Sequence, residues 1–374
     1  MIYLDNAATT GKKPETVVKA VQSALTGYSA NPGRSGHNKS MKAALAVYRV
    51  REEVARFFGA EGPESVVFTA NCTHSINYVL KGVLSHGSHV IISDYEHNAV
   101  VRPLVSMKAD YDVAEVTNDD EQTVENFRKL IRPDTKMIFV TGASNVFGRR
   151  LPLTKLGQLC RKNGILFGVD AAQIAGVVPI DMVRQNIDFL CVAPHKGLYA
   201  PMGIGILIVR KELPFTVIEG GTGTESANLN QPQSLPERLE SGTLNLPGIF
   251  GVSAGIDFIR RCGGEEKILQ AEIKKIQYLY DEMCKIKGVI LYTPRPTADK
   301  WVPVLSFNMQ GKSSDDVATL LDRHKICVRA GLHCAPLAHK KMGTIDTGTV
   351  RVCPSVFTTE RELRHFLSVF NEKF

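Results

Sequence analysis

Short apolar runs alternate with amphipathic stretches along the sequence between residues 14 and 260. This alternation is typical of βα units packed around a mostly parallel sheet, so we predict an α/β fold. Helical spacing of apolar residues predicts a helix that starts at Pro14 and another over residues 41–58. Strands are predicted at residues 65–69, 89–93, 137–141, 165–169, 189–193 and 205–209.

The pattern changes near residue 258. With 374 residues, the chain is long enough for one large domain and one smaller domain. We therefore expect a separate α+β domain in the C-terminal part. Its predicted elements are a charged helix at 265–287, an apolar segment at 302–308, a helix at 314–323, a short segment at 327–330 and a last helix after Thr359.

Composition excludes several classes of protein. Hydrophobic residues make up 44% of the chain and charged residues 22%, which is typical of a globular protein. The formal charge of +7 is spread along the chain and is weak evidence for nucleic-acid binding. No apolar run reaches the ~18–20 residues that span a bilayer, and the N-terminus does not look like a secretory signal. We expect a cytoplasmic protein without nucleic-acid or membrane partners.

The eight cysteines contain no C-x-x-C pair, and their irregular spacing suits neither a zinc site nor a disulfide framework. Most of them are expected to be small buried apolar residues. We therefore expect no bound metal.

Several common catalytic motifs are incomplete or absent in this sequence. Gly311-Lys312-Ser313 lacks the earlier glycine of a phosphate-binding loop, and Gly203-Ile-Gly205 lacks the third glycine of a dinucleotide fingerprint. Gly33-Arg-Ser-Gly36 is not a nucleophile elbow, and no His-Glu-x-x-His motif occurs. Nicotinamide, serine-hydrolase and zinc-protease functions are therefore not predicted.

Two polar clusters follow neighbouring predicted strands. Asp170-Ala-Ala-Gln173 follows the strand at 165–169, and Pro194-His195-Lys196 follows the strand at 189–193. Ligands of open α/β sheets gather beyond the carboxyl ends of the strands. A lysine, an acid and an amide at that edge would suit pyridoxal phosphate, whose ring nitrogen pairs with a carboxylate. Either motif alone is more often a surface lysine or a capping aspartate.

Eight motifs in chain order strengthen this interpretation. They are Tyr3-Leu-Asp-Asn-Ala-Ala-Thr-Thr10, Asn31-Pro-Gly-Arg-Ser-Gly-His37, Glu96-His-Asn98, Ser144-Asn-Val-x-Gly148, Asp170-Ala-Ala-Gln173, His195-Lys196, Glu240-Ser-Gly-Thr-x-Asn245 and Arg329-Ala-Gly-Leu-His-Cys-Ala335. Together they resemble the cysteine desulfurase and selenocysteine lyase family, which consists of class V aminotransferases. The resemblance covers essentially the whole chain.

The resemblance implies an aspartate-aminotransferase-like fold of type I with pyridoxal 5'-phosphate as cofactor. It implies a large cofactor-binding domain over residues 15–257 with a mostly parallel seven-stranded sheet. Residues 1–14 and 258–374 would form the smaller α+β domain. The enzyme would be a homodimer with active sites at the subunit interface.

The resemblance also implies roles for single residues. Lys196 would hold the cofactor covalently and move protons at the substrate Cα, His97 would stack on the pyridine ring, and Asp170 would bind the ring nitrogen. Gln173 and Asn145 would contact the ring oxygen. The other implied positions are Cys72, Thr73 and His195 on the cofactor, Thr243 reaching the phosphate from the partner subunit, and Arg351, Asn145 and Ala8 on the substrate.

Thr73 can also be argued from its own context. It follows the strand at 65–69 and opens a helix, whose N-terminal amides favour an anion such as phosphate. A plain helix cap is equally compatible with that position.

Cys334 lies in a sequence context with Arg329, His333, His339 and Lys340. A basic context favours the thiolate, the form that attacks sulfur. In the enzymes that this chain resembles, the cysteine at this position takes sulfur from a cofactor-bound cysteine and becomes a persulfide, leaving alanine. Two histidines and a cysteine on one short loop are not expected to bind metal.

Several positions depart from the family pattern. Ala193 stands where the family usually has Ser or Thr, and Pro194 replaces a small flexible residue. His74 replaces an acidic or small residue, and Cys353 replaces a serine. Phe357-Thr358-Thr359 stands where the family commonly has Tyr-Asn-Thr. Ala193 therefore removes one phosphate hydroxyl, whereas the changes at Cys353 and 357–359 flank the expected substrate carboxylate site and affect the expected substrate more than the expected cofactor.

The leading hypothesis is a cysteine desulfurase that converts L-cysteine to L-alanine and passes the Cys334 persulfide sulfur to an acceptor protein or a small thiol. A second hypothesis keeps the cofactor and changes the substrate to L-selenocysteine or another β-substituted amino acid. A third is a non-catalytic sulfur-relay or scaffold protein.

Overall fold

The computed structural model describes residues 1–85 and 87–373. The strands of this part of the chain are β1 (Ile2–Tyr3), β2 (Val66–Thr69), β3 (His89–Ser93), β4 (Asp110–Ala114), β5 (Thr135–Thr141), β6 (Leu166–Asp170), β7 (Phe189–Val192), β8 (Gly205–Val209), β9 (Val289–Leu291), β10 (Leu305–Met309), β11 (Ile326–Cys327) and β12 (Val350–Val352). The helices are α1 (Glu15–Gly27), α2 (Asn38–Phe57), α3 (Cys72–Val83), α4 (Asn98–Ser106), α5 (Asp120–Lys129), α6 (Leu153–Asn163), α7 (Leu246–Arg261), α8 (Glu265–Met283), α9 (Ser314–Arg323), α10 (Pro336–Lys341) and α11 (Glu360–Lys373).

A seven-stranded sheet forms the centre of the molecule in the order β2-β8-β7-β6-β5-β3-β4. β8 runs antiparallel to both of its neighbours, whereas the pairs from β7 through β4 are all parallel. The inner strands are buried on both faces, which explains their nearly continuous apolar sequences. The predicted mostly parallel α/β sheet is confirmed.

Four predicted strands match within two residues at each end, and those at 89–93 and 205–209 match in full. The sequence analysis missed β4, because this edge strand reads Asp-Tyr-Asp-Val-Ala and is largely exposed. β10 begins at Leu305 instead of residue 302, since Pro303 lacks the amide that a paired strand needs. Pro14 caps α1 from outside instead of opening the helix.

A second, smaller sheet has the order β12-β10-β9 and is antiparallel throughout. Nearby, β1 pairs in parallel with β11, so the N-terminus joins the C-terminal part of the chain. An apolar cluster separate from the main core fills this region, with members that include Leu4, Leu279, Phe307 and Phe366. This cluster supports the predicted domain of residues 1–14 and 258–374. α7 runs across the predicted boundary at 257/258, so the division stays a prediction.

None of the helices within the two described ranges is both long enough and apolar enough to cross a bilayer.

The central sheet determines where polar side chains meet. β3, β5, β6 and β7 are adjacent and parallel, so the segments that follow their carboxyl ends lie side by side. These segments carry His97, Asn145, Asp170 and Lys196 in turn. The fold therefore gathers the residues that the sequence analysis selected at one edge of the sheet.

Candidate active site

A cavity of about 230 Å³ lies at the carboxyl edge of the central sheet. Arg329 and Arg351 line it from the smaller sheet region, and the other lining residues come from the N-terminal segment and the strand ends. The predicted site residues among them are Ala8, Cys72, Thr73, His97, Asn145, Asp170, Gln173, His195, Lys196 and Arg351. Of the predicted set, Thr243 and Cys334 lie outside this cavity.

Lys196 follows β7 and its amine is buried in the cavity region. Burial lowers the pKa of Lys196, and the cations of Arg351 and Arg329 lower it further, while Asp170 acts in the opposite direction. A lowered pKa increases the fraction of neutral amine at physiological pH. Neutral amine is the form that attacks a carbonyl carbon.

Asp170 ends β6 with its side chain held in place. Its Oδ1 accepts a hydrogen bond from the Ala172 amide at 2.9 Å and one from the Cys72 thiol at 3.6 Å. Burial and the neighbouring Asp170 raise the pKa of Cys72 well above its usual value, so this cysteine stays a thiol. The structure therefore brings Cys72 to the carboxylate as a neutral donor.

His97 is the N-cap of α4. Its Nδ1 accepts a hydrogen bond from the Ala99 amide at 3.0 Å, which places the proton of the neutral ring on Nε2. Burial is the main reason that the pKa of His97 is lowered. The ring is therefore uncharged and held in one orientation, as a stacking residue should be.

Three buried polar atoms in the cavity wall have no hydrogen-bond partner within the described chain: Asn145 Oδ1, His195 Nδ1 and Arg351 Nε. Buried polar atoms are normally paired, so these atoms indicate a missing ligand. Gln173 donates one hydrogen bond from Nε2 to the Ala7 carbonyl at 3.1 Å and retains a second N–H. An amine, a carboxylate, a stacking ring and free polar groups in one cavity fit a planar, polar aromatic cofactor.

The cavity of this chain offers fewer side-chain hydroxyl groups to the phosphate of such a cofactor than the family pattern implies. Ala193 lines the cavity without a hydroxyl, and Thr73 lies in the first turn of α3, where the helix amides have no internal acceptor. Burial lowers the pKa of His195 to about 4, so this side chain is neutral and can donate a hydrogen bond but adds no charge.

Asn145 also connects the cavity to the Cys334 loop. Its Nδ2 donates to the His333 carbonyl at 2.7 Å. This orientation leaves the acceptor Oδ1 of Asn145 free. Gln173, which has a free N–H, is therefore the better donor to the ring oxygen of the cofactor.

Cys334 lies in a second groove of about 360 Å³ that shares Thr73, His97 and Ala99 with the cavity. Arg329 lines the cavity and its Nη2 lies 3.8 Å from Cys334 Sγ. The thiol is exposed and sits at the junction of the two spaces.

The loop that carries Cys334 is firmly anchored. The Asn98 amide donates to the Cys334 carbonyl at 2.7 Å, and Gly331 exchanges two backbone hydrogen bonds of 3.1 Å with Thr349. A Cβ at Gly348 would lie only 2.7 Å from Gly331 Cα, so glycine is required at this close approach. Cys334 itself has a φ of 56°.

The expected basic context of Cys334 is only partly correct. Burial lowers the pKa of His333 to about 3 and also lowers that of His339, so both rings are neutral. Their Nδ1 and Nε2 atoms lie 3.5 Å apart, and His339 Nδ1 is 2.8 Å from Thr344 Oγ1. The positive charge at the thiol therefore comes from Arg329 and not from the histidines. No cluster of metal-ligating side chains occurs among the residues that the structure describes.

Arg351 is 1% exposed and is partly occupied by protein atoms. Its Nη2 donates to Asp5 Oδ1 at 2.7 Å and its Nη1 to the Asn145 carbonyl at 2.8 Å. Its Nε is buried without a partner in the described residues. The sequence analysis gave no role to Asp5, although the residue belongs to a quoted motif.

Glu96 is a second residue that the sequence analysis left without a role. Its Oε1 accepts hydrogen bonds from the Ser93 hydroxyl at 2.5 Å and from the Thr141 amide at 2.8 Å, which ties together the ends of β3 and β5. Burial raises the pKa of Glu96 to about 8, so it is a neutral acid at physiological pH. Its position directly before His97 was the available signal.

Thr243 is exposed and stands apart from the cavity of its own chain. Its segment is fixed by Glu240, which pairs with both Nη atoms of Arg51 and accepts from the Phe68 amide at 2.6 Å. The structure therefore anchors the Thr243 segment on β2 and leaves the threonine facing outward.

A family model described as Aminotransferase class-V matches residues 2–366. The chain belongs to the class V aminotransferase family. Its cofactor is pyridoxal 5'-phosphate, and the residues described above fit that group. The members of this family are pyridoxal-phosphate enzymes, and this chain is one of them.

Several named proteins are similar to this class V aminotransferase chain. A probable cysteine desulfurase of Pyrococcus abyssi is 34% identical, over 100% of this chain and 94% of the relative. A cysteine desulfurase of Haloferax volcanii is 31% identical over 92% of this chain and 83% of the relative.

Solved structures agree. The apo structure of a cysteine desulfurase from Thermococcus onnurineus NA1 has a TM-score of 0.91 at 34% identity, over 99% of this chain and 94% of the other. A cysteine desulfurase from Escherichia coli in its S-sulfonic acid form has a TM-score of 0.87 at 27% identity, over 99% and 94% of the two chains. The predicted type I fold is confirmed.

Proposed function

We propose that this class V aminotransferase is a cysteine desulfurase that converts L-cysteine to L-alanine and collects the sulfur on Cys334. The observation that carries the proposal is the position of the exposed Cys334 thiol, at the junction of its groove with the cavity that holds Lys196. Arg329 lines the cavity, and its Nη2 lies 3.8 Å from the Cys334 thiol. The relatives named cysteine desulfurase support this function over a selenocysteine lyase or a scaffold protein.

Bound pyridoxal phosphate supplies an electron sink that weakens bonds at the substrate Cα and Cβ. Asp170 is placed to pair with the ring nitrogen and His97 to stack on the ring. Lys196, with its lowered pKa, can hold the cofactor and then carry a proton to or from the substrate Cα.

Arg351 is the group proposed to hold the substrate carboxylate. Its unpartnered buried Nε is a donor inside the wall of the cavity. A charge-assisted hydrogen bond to a carboxylate would satisfy this donor. Because Asp5 and the Asn145 carbonyl already fix the guanidinium, little entropy is lost when substrate binds.

The Cys334 thiolate is proposed to attack the substrate sulfur. The new S–S bond forms as the substrate Cβ–S bond breaks, so Cys334 becomes a persulfide and the carbon skeleton leaves as alanine. The Arg329 guanidinium places a positive charge 3.8 Å from the attacking sulfur. The second substrate is then a thiol acceptor, which regenerates Cys334.

We further propose a homodimer in which Thr243 contacts the cofactor phosphate of the partner subunit. The outward position of Thr243 and the buried Arg51–Glu240 pair that anchors its segment support this arrangement.

The first test compares wild type with Cys334→Ser in the presence of L-cysteine and a reductant. We expect wild type to release alanine and sulfide together. Cys334→Ser should retain the cofactor absorbance, but its rate of alanine release should fall at least about 100-fold, because no thiol is present to attack the substrate sulfur. Cys284→Ser is the matched control, since Cys284 is also an exposed free thiol and lies on the end of α8. Equal alanine release by Cys334→Ser and wild type would refute the persulfide step.

A further inference from the structure

The groove at Cys334 extends away from the cofactor cavity between α3 and α4. Asn77 and Lys81 line it from α3, and Arg102 and Ser106 line it from α4. Lys81, Arg102 and Cys334 are all exposed, so a solute can reach the thiol along this surface. None of these α3 and α4 residues has a role in the chemistry proposed above.

The three segments that meet at this groove contain no carboxylate. α3 reads CTHSINYVLKGV and α4 reads NAVVRPLVS, and neither contains Asp or Glu. The segment 323–345, which carries Cys334, also contains no acidic residue. Every formally charged side chain on these segments is therefore basic.

The cations of α3 and α4 are unpaired. Lys81 and Arg102 form no ion pair within the described part of the chain, whereas Lys341 lies 2.6 Å from Asp94 and is neutralised locally. Arg329, at 3.8 Å from Cys334 Sγ, extends the positive surface to the thiol. An exposed, unpaired patch of one sign attracts a partner of the opposite sign and raises its association rate.

We propose that the groove formed by Lys81, Arg102 and Cys334 is the docking site for the sulfur acceptor, and that the acceptor is a protein segment presenting a cysteine flanked by carboxylates. This inference rests on the proposed desulfurase function, because it concerns the second half of that reaction. A protein segment is favoured over a small thiol because the cationic side chains come from three separate segments, α3, α4 and 323–345, and those of 323–345 are not among the residues that line the groove.

The transfer step is a thiol exchange without net oxidation. The acceptor thiolate attacks the outer sulfur of the Cys334 persulfide, a new S–S bond forms on the acceptor, and the original S–S bond breaks. Cys334 leaves as a thiolate, which takes up the proton that the acceptor thiol released. Carboxylates on the acceptor pair with Lys81 and Arg102 while its sulfur is in line with Cys334.

The test measures single-turnover transfer from the Cys334 persulfide of the holoenzyme, loaded with L-cysteine and freed of excess substrate. The acceptors are short peptides with one central cysteine flanked by aspartates, by asparagines or by lysines, and mercaptosuccinate as a small anionic thiol. Mass spectrometry follows loss of persulfide from the protein and its gain by the acceptor. Rates are divided by the thiolate fraction of each acceptor.

We expect the aspartate peptide to react about tenfold faster than the asparagine peptide at low ionic strength, and the lysine peptide to react slowest. Added salt should remove most of this difference, because exposed charges are screened beyond ~8 Å at physiological ionic strength. The double variant Lys81→Glu/Arg102→Glu should reverse the order of the peptides. Its loading of Cys334 and its alanine release should equal those of wild type.

Lys129→Glu/Lys162→Glu is the matched control, because it makes the same change in net charge on exposed positions of α5 and α6. It should keep the wild-type order of peptides. The proposal is overturned if Lys81→Glu/Arg102→Glu keeps that order too, or if mercaptosuccinate equals the aspartate peptide, which would make the partner a small thiol. Failure to load Cys334 at all would instead refute the desulfurase function.

Discussion

Three basic side chains line the same cavity: Lys196, Arg329 and Arg351. Burial and mutual repulsion lower the pKa of Lys196, and Asp170 compensates only in part. Arg351 is stabilised in turn by Asp5. The same concentration of positive charge that makes Lys196 a better nucleophile also prepares the cavity for the carboxylate and phosphate groups that the proposed reaction requires.

The role of Arg351 can be tested with Arg351→Lys, which keeps the charge and removes the planar donor set. We expect KM for L-cysteine to rise about 10–100-fold, because one lost charge-assisted hydrogen bond is worth about 1.5–3 kcal/mol. The absorbance of the bound cofactor should stay unchanged. Steady-state kinetics measure the first effect and titration with pyridoxal phosphate the second.

Arg150→Lys is the control for this experiment. Arg150 is half-buried and, like Arg351, donates to a backbone carbonyl, but it lies outside the cavity. It should leave KM unchanged. An unaltered KM in Arg351→Lys would remove Arg351 from the substrate site.

At the scale of elements, α8 carries a buried carboxyl group that affects stability and not the proposed chemistry. Glu272 is 4% exposed, and burial raises its pKa from 4.5 to about 8, although Lys275 and the Val356 amide act in the opposite direction. Lys275 also donates to the Ser355 carbonyl at 2.7 Å, so one turn of α8 holds the segment after β12. Ionisation of the buried Glu272 carboxyl group therefore lowers the stability of the fold, and the extent of ionisation depends on pH.

Stability should fall with rising pH because of Glu272. The folded state binds the proton of the Glu272 carboxyl group more tightly than the unfolded chain does. The resulting contribution to the free energy of unfolding is complete below about pH 4.5 and is lost as the pH rises through about 8. Glu272→Gln should therefore be more stable than wild type at pH 8, by about 2–4 kcal/mol, and nearly equal at pH 5. Denaturant unfolding at both pH values measures this.

Some pH dependence should persist in Glu272→Gln, because Glu96 has a raised pKa of about 8 for the same reason. Glu266→Gln is the control, since Glu266 lies on the same helix but is exposed. If the stability of Glu272→Gln depended on pH as that of wild type does, Glu272 would not be the source of this pH dependence.

The sequence predicted the elements with strong apolar patterns and the residues at their ends. Asp170 and Lys196 could be placed together because they follow adjacent parallel strands. The edge strand β4 could not be recognised, since exposed edge strands lack the apolar pattern. The neutral state of His333 was also out of reach, because it depends on burial by residues distant in sequence.

The contact between Asp5 and Arg351 illustrates the same limit. These residues are joined because β1 adds to β11 and the next residues bridge to Cys353, a tertiary arrangement without a local sequence signal. Local motifs identified the residue types of the site, and long-range packing decided their pairing and protonation.

At the scale of the whole molecule, Thr243 distinguishes a site built within one chain from a site shared by two chains. Lys196 lies in the cavity, whereas Thr243 is exposed on a segment anchored by Glu240. Two variants that each carry one defect can therefore form an intact site together only if the threonine acts across the interface. Lys196→Ala removes the amine, and Thr243→Val removes one proposed phosphate ligand.

We expect Thr243→Val alone to bind pyridoxal phosphate about 10–100-fold more weakly, because one hydrogen bond to a charged group is lost. In a mixed dimer, the Thr243→Val chain supplies Lys196 and the Lys196→Ala chain supplies Thr243. One of the two sites therefore contains both residues unchanged. With equal mixing, half of the dimers are mixed and each has one intact site, so about a quarter of wild-type activity should return at limiting cofactor. Mixing each variant with itself is the control, and no recovery in the mixed sample would place Thr243 outside the partner's site.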